Sequence, residues 1–108
     1  MAESVAVVVL ITYPLDGDVN EFVTALVTER WAACVSVLPA IESVFRWQGR
    51  IERARERQIL VKTQDSLVER LVRRVRELHP YDTPEVVALP IVGGSEPYLA
   101  WIRDEVAE

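Results

Sequence analysis

Two long β-rich runs on either side of a short turn constrain the fold most. The runs extend from Ala33 to Phe45 and from Ile51 to Lys62, and a tight turn at 47–49 separates them. The pattern predicts a hairpin whose strands are each about twice the usual five to six residues. Pro39 lies inside the first run and cannot donate to a ladder, so this strand is expected to be bent or bulged there, or to lie at a sheet edge.

A hairpin of this length should extend beyond the core of a 108-residue domain. Its distal half would then expose large apolar side chains to water, namely Val44, Phe45, Trp47 and Ile51. A second copy of the chain is the simplest cover, so the hairpin predicts a homo-oligomer. The alternative is a twisted hairpin that folds back on its own sheet.

The remaining elements follow from apolar periodicity and capping signals. A buried strand is expected at 5–12, followed by a helix from Asp18, with Glu21 in a capping box, to about Arg30. A second helix should open with a capping box at Ser66 and Glu69 and stop before Pro80.

A fourth strand is expected at 85–91. A short final helix should span 98–106, with Leu99, Trp101 and Ile102 as its anchors. The order β-α-β-β-α-β predicts an α+β, ferredoxin-like sandwich with both central helices on one face of an antiparallel sheet. Residues 1–108 should form a single domain.

The charge balance excludes several classes of partner. Twelve basic and 17 acidic residues give a net charge of −5, which disfavours nucleic acid and anionic membranes. The third strand also carries no aromatic residue for stacking on RNA bases. One cysteine cannot form an intrachain disulfide, and the first residues lack an export signal, so a cytoplasmic location is expected.

No catalytic motif is present, and we expect no enzyme. The sequence contains no phosphate-binding loop, dinucleotide fingerprint or HExxH pattern. Cys34 lies in an apolar strand and is expected to be a buried, inert thiol. Glu52 and Glu56 should share one face of a strand. They form either a charged edge or a buried site at a subunit boundary, where an arginine or Lys62 would pair with Glu56.

His79 is the only histidine in the chain. It follows the second helix, where the helix dipole favours an imidazole for structural reasons alone. It could instead be a metal ligand or a proton-transfer group, but its spacing supplies no second ligand.

Five stretches in order, RWAACVSVLP, SVFRWQGRI, ERQILVKT, ELHPYDTPEVVALPI and YLAWI, closely resemble the divalent-cation tolerance protein family, CutA. The resemblance runs from about Val9 to Ile102. It implies a ferredoxin-like homotrimer, similar to the PII signalling proteins, in which the long hairpins extend sheets across subunit boundaries. It also implies divalent-metal tolerance and copper binding, with no catalytic reaction.

Carried over position by position, the resemblance implies a cleft between subunits lined by Trp47, Glu56, Lys62 and Tyr81. His79 and Cys34 would be the metal ligands. The chain departs from the family pattern at Ile11, where many members have cysteine, at Leu78, where some have a second histidine, and at Gln48, where glutamate is usual.

Two functions are therefore expected. The first is a copper tolerance trimer that holds copper or another divalent cation weakly. The alternative is a PII-like signalling or scaffold trimer that binds a small anionic metabolite or a partner protein at the subunit clefts. In the alternative, Lys62 and Arg50 would contact the anion.

Overall fold

The computed structural model describes residues 4–107, which form four strands and three α-helices. The sheet order is β2-β3-β1-β4 and every neighbouring pair is antiparallel. The predicted α+β sheet and element order are confirmed. No helix in the described range is long and apolar enough to cross a membrane. The elements are β1 (Ala6–Pro14), α1 (Val19–Thr28), β2 (Cys34–Trp47), β3 (Arg50–Gln64), a 3-10 turn (Asp65–Leu67), α2 (Val68–Leu78), β4 (Val86–Pro90) and α3 (Glu96–Glu105).

The core lies between one face of the sheet and helices α1 and α2. Because side chains alternate along a strand, odd-numbered residues of β1 and β3 point to this core. The helices contribute Phe22 and Leu26 from α1 and Leu71 and Val75 from α2, all buried. Both helices therefore cover the same face, as the order of elements predicts.

The opposite face of the sheet is not covered by α1 or α2, and we call it the open face. Cross-strand register places Val8 beside Leu89, and Leu10 beside both Val87 and Leu60. An antiparallel sheet with one solvated face normally carries polar side chains there. Around Leu10 the open face is apolar instead, which is a property of contact surfaces.

The hairpin of β2 and β3 extends beyond the sheet, as predicted. Residues 56–64 of β3 pair with β1, whereas residues 50–55 pair only with β2. The radius of gyration is 14.5 Å, against about 13 Å for a compact chain of this size. Trp47 and Ile51 are 53% and 59% exposed on this arm. The register shifts between Val37 and Ala40, which confirms the predicted irregularity at Pro39.

The start of α2 differs from the prediction. The capping box at Ser66 and Glu69 is wrong, because a 3-10 turn precedes the helix and no side chain caps its N-terminus. Leu67 is fully buried, and its packing decides the path of the chain here. The Ser66 hydroxyl lies 3.1 Å from the hydroxyl of Ser4 instead. The cap at Asp18 is confirmed, since its carboxylate accepts from the Glu21 N–H at 3.1 Å.

Helix α3 is held by Ile102, which is fully buried, whereas Trp101 is exposed and is not an anchor of the protomer. At its C-terminal end, the Arg30 guanidinium donates to the carbonyls of residues 104–106. Arg30 also accepts from the Ala107 N–H at 2.8 Å through its own carbonyl. A cation at a helix C-terminus is favourable, so this contact fixes α3 against the end of α1.

The hairpin turn predicts a specific glycine requirement. Gln48 and Gly49 have φ values of 49° and 78°, as a two-residue turn matched to the strand twist requires. We expect Gly49→Ala to lower the free energy of unfolding by about 1–2 kcal/mol, because a Cβ is unfavourable in the left-handed region. Urea denaturation measures this.

The matched control for the turn is Gly93→Ala, where φ is not left-handed and an added Cβ meets no atom within 4 Å. Its cost should be close to zero. Equal costs for the two substitutions would contradict the turn assignment.

Candidate ligand-binding site

His79 ties the end of β1 to the loop that follows α2. Its Nε2 lies 2.7 Å from the carbonyl oxygen of Thr12, and its Nδ1 accepts from the Tyr81 N–H at 3.1 Å. Because Nδ1 accepts, the ring proton lies on Nε2 and is donated to Thr12. The imidazole is 7% exposed and packs edge-on against Tyr13 and Phe22.

Burial lowers the pKa of His79 below its ordinary value. The Thr12 carbonyl and the charge of Glu56 act in the opposite direction but are smaller effects. The ring is therefore neutral at pH 7, and both of its nitrogens are in hydrogen bonds. The only lone pair of the neutral ring is on Nδ1, and it accepts from the Tyr81 N–H. To bind copper, as predicted, His79 would have to release this hydrogen bond.

Glu56 and Tyr81 meet beside this junction. The Tyr81 hydroxyl donates to Glu56 Oε2 at 3.0 Å, and Glu56 is 5% exposed. Burial, and then the contact with Glu56, raises the pKa of Tyr81 to about 12, so the hydroxyl keeps its proton and remains the donor. An arginine or Lys62 was the expected partner of Glu56. Instead, among residues 4–107 no basic nitrogen lies within 4.0 Å of its carboxylate.

A cavity of about 770 Å³ opens beside Glu56, between the distal hairpin and the loop after His79. The structure thus brings together the predicted residues Trp47, Glu56 and Tyr81, and Glu52 shares their cavity as the strand alternation predicts. Sequence reasoning missed Asp82 and Glu85, although both lie in the same HPYDTPE stretch. The lining residues are Thr12, Ser43, Val44, Phe45, Trp47, Glu52, Arg53, Glu56, Tyr81, Asp82, Thr83 and Glu85.

Cys34 and Lys62 lie elsewhere in the protomer. They are cross-strand partners near the far end of the sheet, and Lys62 also pairs with Val8. Thr12 lines the cavity, and Val8 lies four residues before it along β1. This separation is about 13 Å at about 3.3 Å per residue. Cys34 is only partly buried, unlike the fully buried thiol expected. One protomer therefore does not join Cys34 and Lys62 to the cavity.

The two positions at which the chain departs from the family's cysteine and second histidine, 11 and 78, belong to the hydrophobic core. Ile11 is fully buried on the helix side of the sheet, and Leu78 packs against the same cluster. Both side chains fill core volume. Within the described range, no group of three histidine, cysteine, aspartate or glutamate residues is placed to hold a metal ion.

Comparison with known proteins identifies the family. The model of the CutA1 divalent ion tolerance protein family matches residues 7–105. The chain belongs to the CutA1 divalent ion tolerance family. It is 46% identical over 97 residues to the divalent-cation tolerance protein CutA of Thermus thermophilus, covering 90% of this chain and 94% of that protein.

The CutA1 fold is also confirmed by a solved structure. The divalent cation tolerance protein of Thermus thermophilus superposes with a TM-score of 0.91 at 44% identity, covering 94% of this chain and 99% of the other. The chloroplastic CutA protein of Arabidopsis thaliana is 41% identical over 99 residues, which are 92% of this chain. The chain spans only 54% of the length of that plant relative.

The neutral, buried His79 predicts a pH dependence of stability. Since its folded pKa lies below the unfolded value of about 6.5, the unfolded chain binds more protons as the pH falls through 6.5 and below. The free energy of unfolding should therefore decrease between pH 7.5 and pH 5.5. Urea denaturation of the wild type and of His79→Gln measures this slope.

In His79→Gln the slope over this range should largely disappear, because the chain has no other histidine. The variant should also lose about 1–3 kcal/mol at pH 7.5 through weakened hydrogen bonds to Thr12 and Tyr81. An unchanged slope would show that His79 is not the titrating group.

The Tyr81 hydroxyl donates a hydrogen bond to Glu56, so its removal should destabilise the folded protein. We expect Tyr81→Phe to lower the free energy of unfolding by about 1–3 kcal/mol, because a buried carboxylate loses its donor. Tyr98→Phe makes the same chemical change at an exposed tyrosine and should cost close to zero. Thermal and urea denaturation compare the two, and equal costs would argue against the Glu56 contact.

Proposed function

We propose that this chain is a homotrimeric divalent-cation tolerance protein that binds copper or another divalent cation weakly and catalyses no reaction. Membership of the CutA1 family over residues 7–105 carries the tolerance function. A cytoplasmic location belongs to the same proposal and is supported by the single free thiol at Cys34.

The open face supports the trimer. Val87 and Leu89 are 47% and 45% exposed there, next to the partly buried Val8 and Leu10. The distal hairpin adds further exposed apolar side chains. Covering such surfaces gains free energy at roughly 25 cal/mol per Å² of apolar area. A second copy offers an apolar surface of the same kind.

The sheet edges support a closed ring. Strand β2 forms one edge and β4 the other, and their outer sides have no partner strand within the described protomer. Contact between the β2 edge of one copy and the β4 edge of the next is heterologous, and such contacts form a ring when the rotation closes. Three copies with hairpins extended across the boundaries would also protect both edges.

The residues of one protomer do not form a tight copper site. Both ring nitrogens of His79 are in hydrogen bonds, and Cys34 lies at the far end of the sheet. In this proposal a divalent cation is therefore held at the boundary between copies, where a second chain supplies the missing donors. Affinity should be weak, because ligands must be released or brought in from two chains.

The charge of the cavity does not favour the PII-like alternative. Four carboxylates and one arginine line the space beside Glu56. The expected anion contacts are also separate, since Arg50 lies at the exposed hairpin tip and Lys62 lies beside Cys34. A small anion would be repelled by this cavity within one protomer.

Native mass spectrometry of protein purified without chelator tests the proposal. We expect a species at three times the 12.3 kDa chain mass. Leu89→Glu should shift it to the single-chain mass, because a charge on the open face cannot be buried against a second copy. Val92→Glu is the control, since Val92 is almost fully exposed beyond β4.

Copper and zinc titrations then test the metal. Weak saturable binding is expected for the trimer and is expected to be lost with Leu89→Glu. A wild-type protein that stays monomeric at micromolar concentration, or a trimer that binds neither ion, would overturn the corresponding part of the proposal.

A further inference from the structure

Among the three α-helices of the described chain, α2 alone has a positive net charge. It holds four arginines and two glutamates, a net charge of +2. Since the whole chain carries −5, the residues outside α2 carry −7. A local excess of one sign of charge attracts groups of the opposite sign. The outward side of α2 therefore differs in its electrostatics from the rest of a predominantly acidic protein.

Most of these arginines have no partner inside the protomer. Arg74 is the exception, since its guanidinium contacts Glu29 at 2.7 Å and Glu77 at 3.2 Å. The other three are exposed, and among residues 4–107 no carboxylate oxygen lies within 4.0 Å of them. These three are Arg70, Arg73 and Arg76. Their charge is therefore available to a second molecule.

The spacing of the arginines works against the stability of the helix. Residues three and four apart are neighbours on a helix surface, and like charges there are destabilising. Arg70 has Arg73 and Arg74 at this spacing, and Arg76 has Arg73. Neither Arg70 nor Arg76 has an acidic residue three or four positions away. A charge pattern that opposes folding and is not offset locally is typical of a functional surface.

The position of α2 leaves this surface free in an oligomer. Helices α1 and α2 pack on one side of the sheet, and the apolar open face is the other side. A trimer formed through the open face and the sheet edges therefore leaves the outward side of α2 in contact with solvent. Three copies would present three such surfaces.

A hollow of about 430 Å³ adjoins the C-terminal half of α2 and gives this surface relief. Arg73 and Arg76 line it, and residues at this spacing have Cβ atoms about 5–6 Å apart. Two carboxylates also line it, of which Glu77 is engaged by Arg74, so that Asp82 is the second. Two guanidinium groups against one remaining carboxylate leave the hollow positive. Guanidinium groups bind carboxylates through paired, charge-assisted hydrogen bonds.

We propose that the outward side of α2 is a docking surface for an acidic segment of a partner protein, with one carboxylate side chain held between Arg73 and Arg76 in the hollow. The exposed residues of α2 are all charged, so the contact is electrostatic, weak and sensitive to salt. Nucleic acid fits less well, because Glu69 and Glu77 share this surface and the net charge of −5 repels a phosphate backbone. The contact requires no metal ion.

A set of charged probes tests this surface. Blocked hexaglutamate is titrated into the full-length protein in its native oligomeric state, in chelator-treated buffer of about 20 mM ionic strength. Blocked hexalysine, an oligothymidylate with the same number of negative charges, and inorganic phosphate are titrated in parallel. The Nε–H resonances of the arginines, each assigned by its loss in the corresponding Arg→Gln variant, report where a probe binds.

We expect hexaglutamate to shift the Arg73 and Arg76 resonances saturably, with an affinity that falls at least about tenfold at about 200 mM ionic strength. Arg73→Gln and Arg76→Gln should each weaken binding about twofold to fivefold, which is the usual effect of one exposed ion pair. Arg103→Gln is the matched control, because it removes the same charge from an exposed position of α3. It should weaken binding less than either α2 substitution.

Arg70→Gln separates binding from stability. Removing this charge relieves its repulsion from Arg73 and Arg74, so the midpoint of urea denaturation should stay the same or rise. The affinity for hexaglutamate should fall in the same variant. A loss of stability without a change in affinity would show that the arginines of α2 are structural and would overturn the inference.

Four other outcomes would also overturn it. They are equal effects of the α2 substitutions and Arg103→Gln, binding of hexalysine at the same resonances, tighter binding of oligothymidylate than of hexaglutamate, and equal shifts with inorganic phosphate at equal ionic strength. Native mass spectrometry of Arg76→Gln completes the test. An unchanged oligomer is expected, whereas a shift to the single-chain mass would identify this side of α2 as a subunit contact and contradict the proposal.

Discussion

The unequal pairing of β3 on its two sides is the constraint on which the rest of the structure depends. On one side β2 accompanies it over nearly its whole length, whereas β1 accompanies only residues 56–64. Within residues 4–107, the two-stranded remainder pairs with no third strand. Its side chains on one face, including Phe45 and Trp47, are therefore available to form a cavity wall. Glu56 lies where the three-stranded part ends.

The second wall of the cavity depends on His79. Pro80 keeps His79 in an extended conformation, with φ −82° and ψ 141°, so α2 ends and the chain turns toward β1. The neutral imidazole then connects the Thr12 carbonyl to the Tyr81 N–H, and this positions the Tyr81 hydroxyl on Glu56. The only histidine of the chain thus acts in the protomer as a connector. Its contribution to the site is the orientation of Tyr81.

Particular residues show why some features were predictable. The β-branched runs, the turn residues and Pro39 are local signals, and they produced the correct hairpin, its overshoot and its irregularity. The start of α2 was wrong because the burial of Leu67 overrode the capping preference of Ser66. Trp101 was misjudged because helical periodicity identifies an apolar face but not whether the protomer itself covers it. The partner of Glu56 was wrong because a phenol 25 residues away in sequence carries no local signal.

By itself, the sequence determined the order of elements, the face of the sheet that each strand residue occupies and, through its motifs, the CutA1 family. These properties follow from short-range periodicity and from turn chemistry. Only the tertiary structure decided that Glu56 is buried without a cation, that both nitrogens of His79 are occupied, and that Cys34 and Lys62 lie away from the cavity within one protomer. The reason is that hydrogen-bond partners, burial and the charge of a cavity depend on strand register and loop path, which bring distant parts of the chain together.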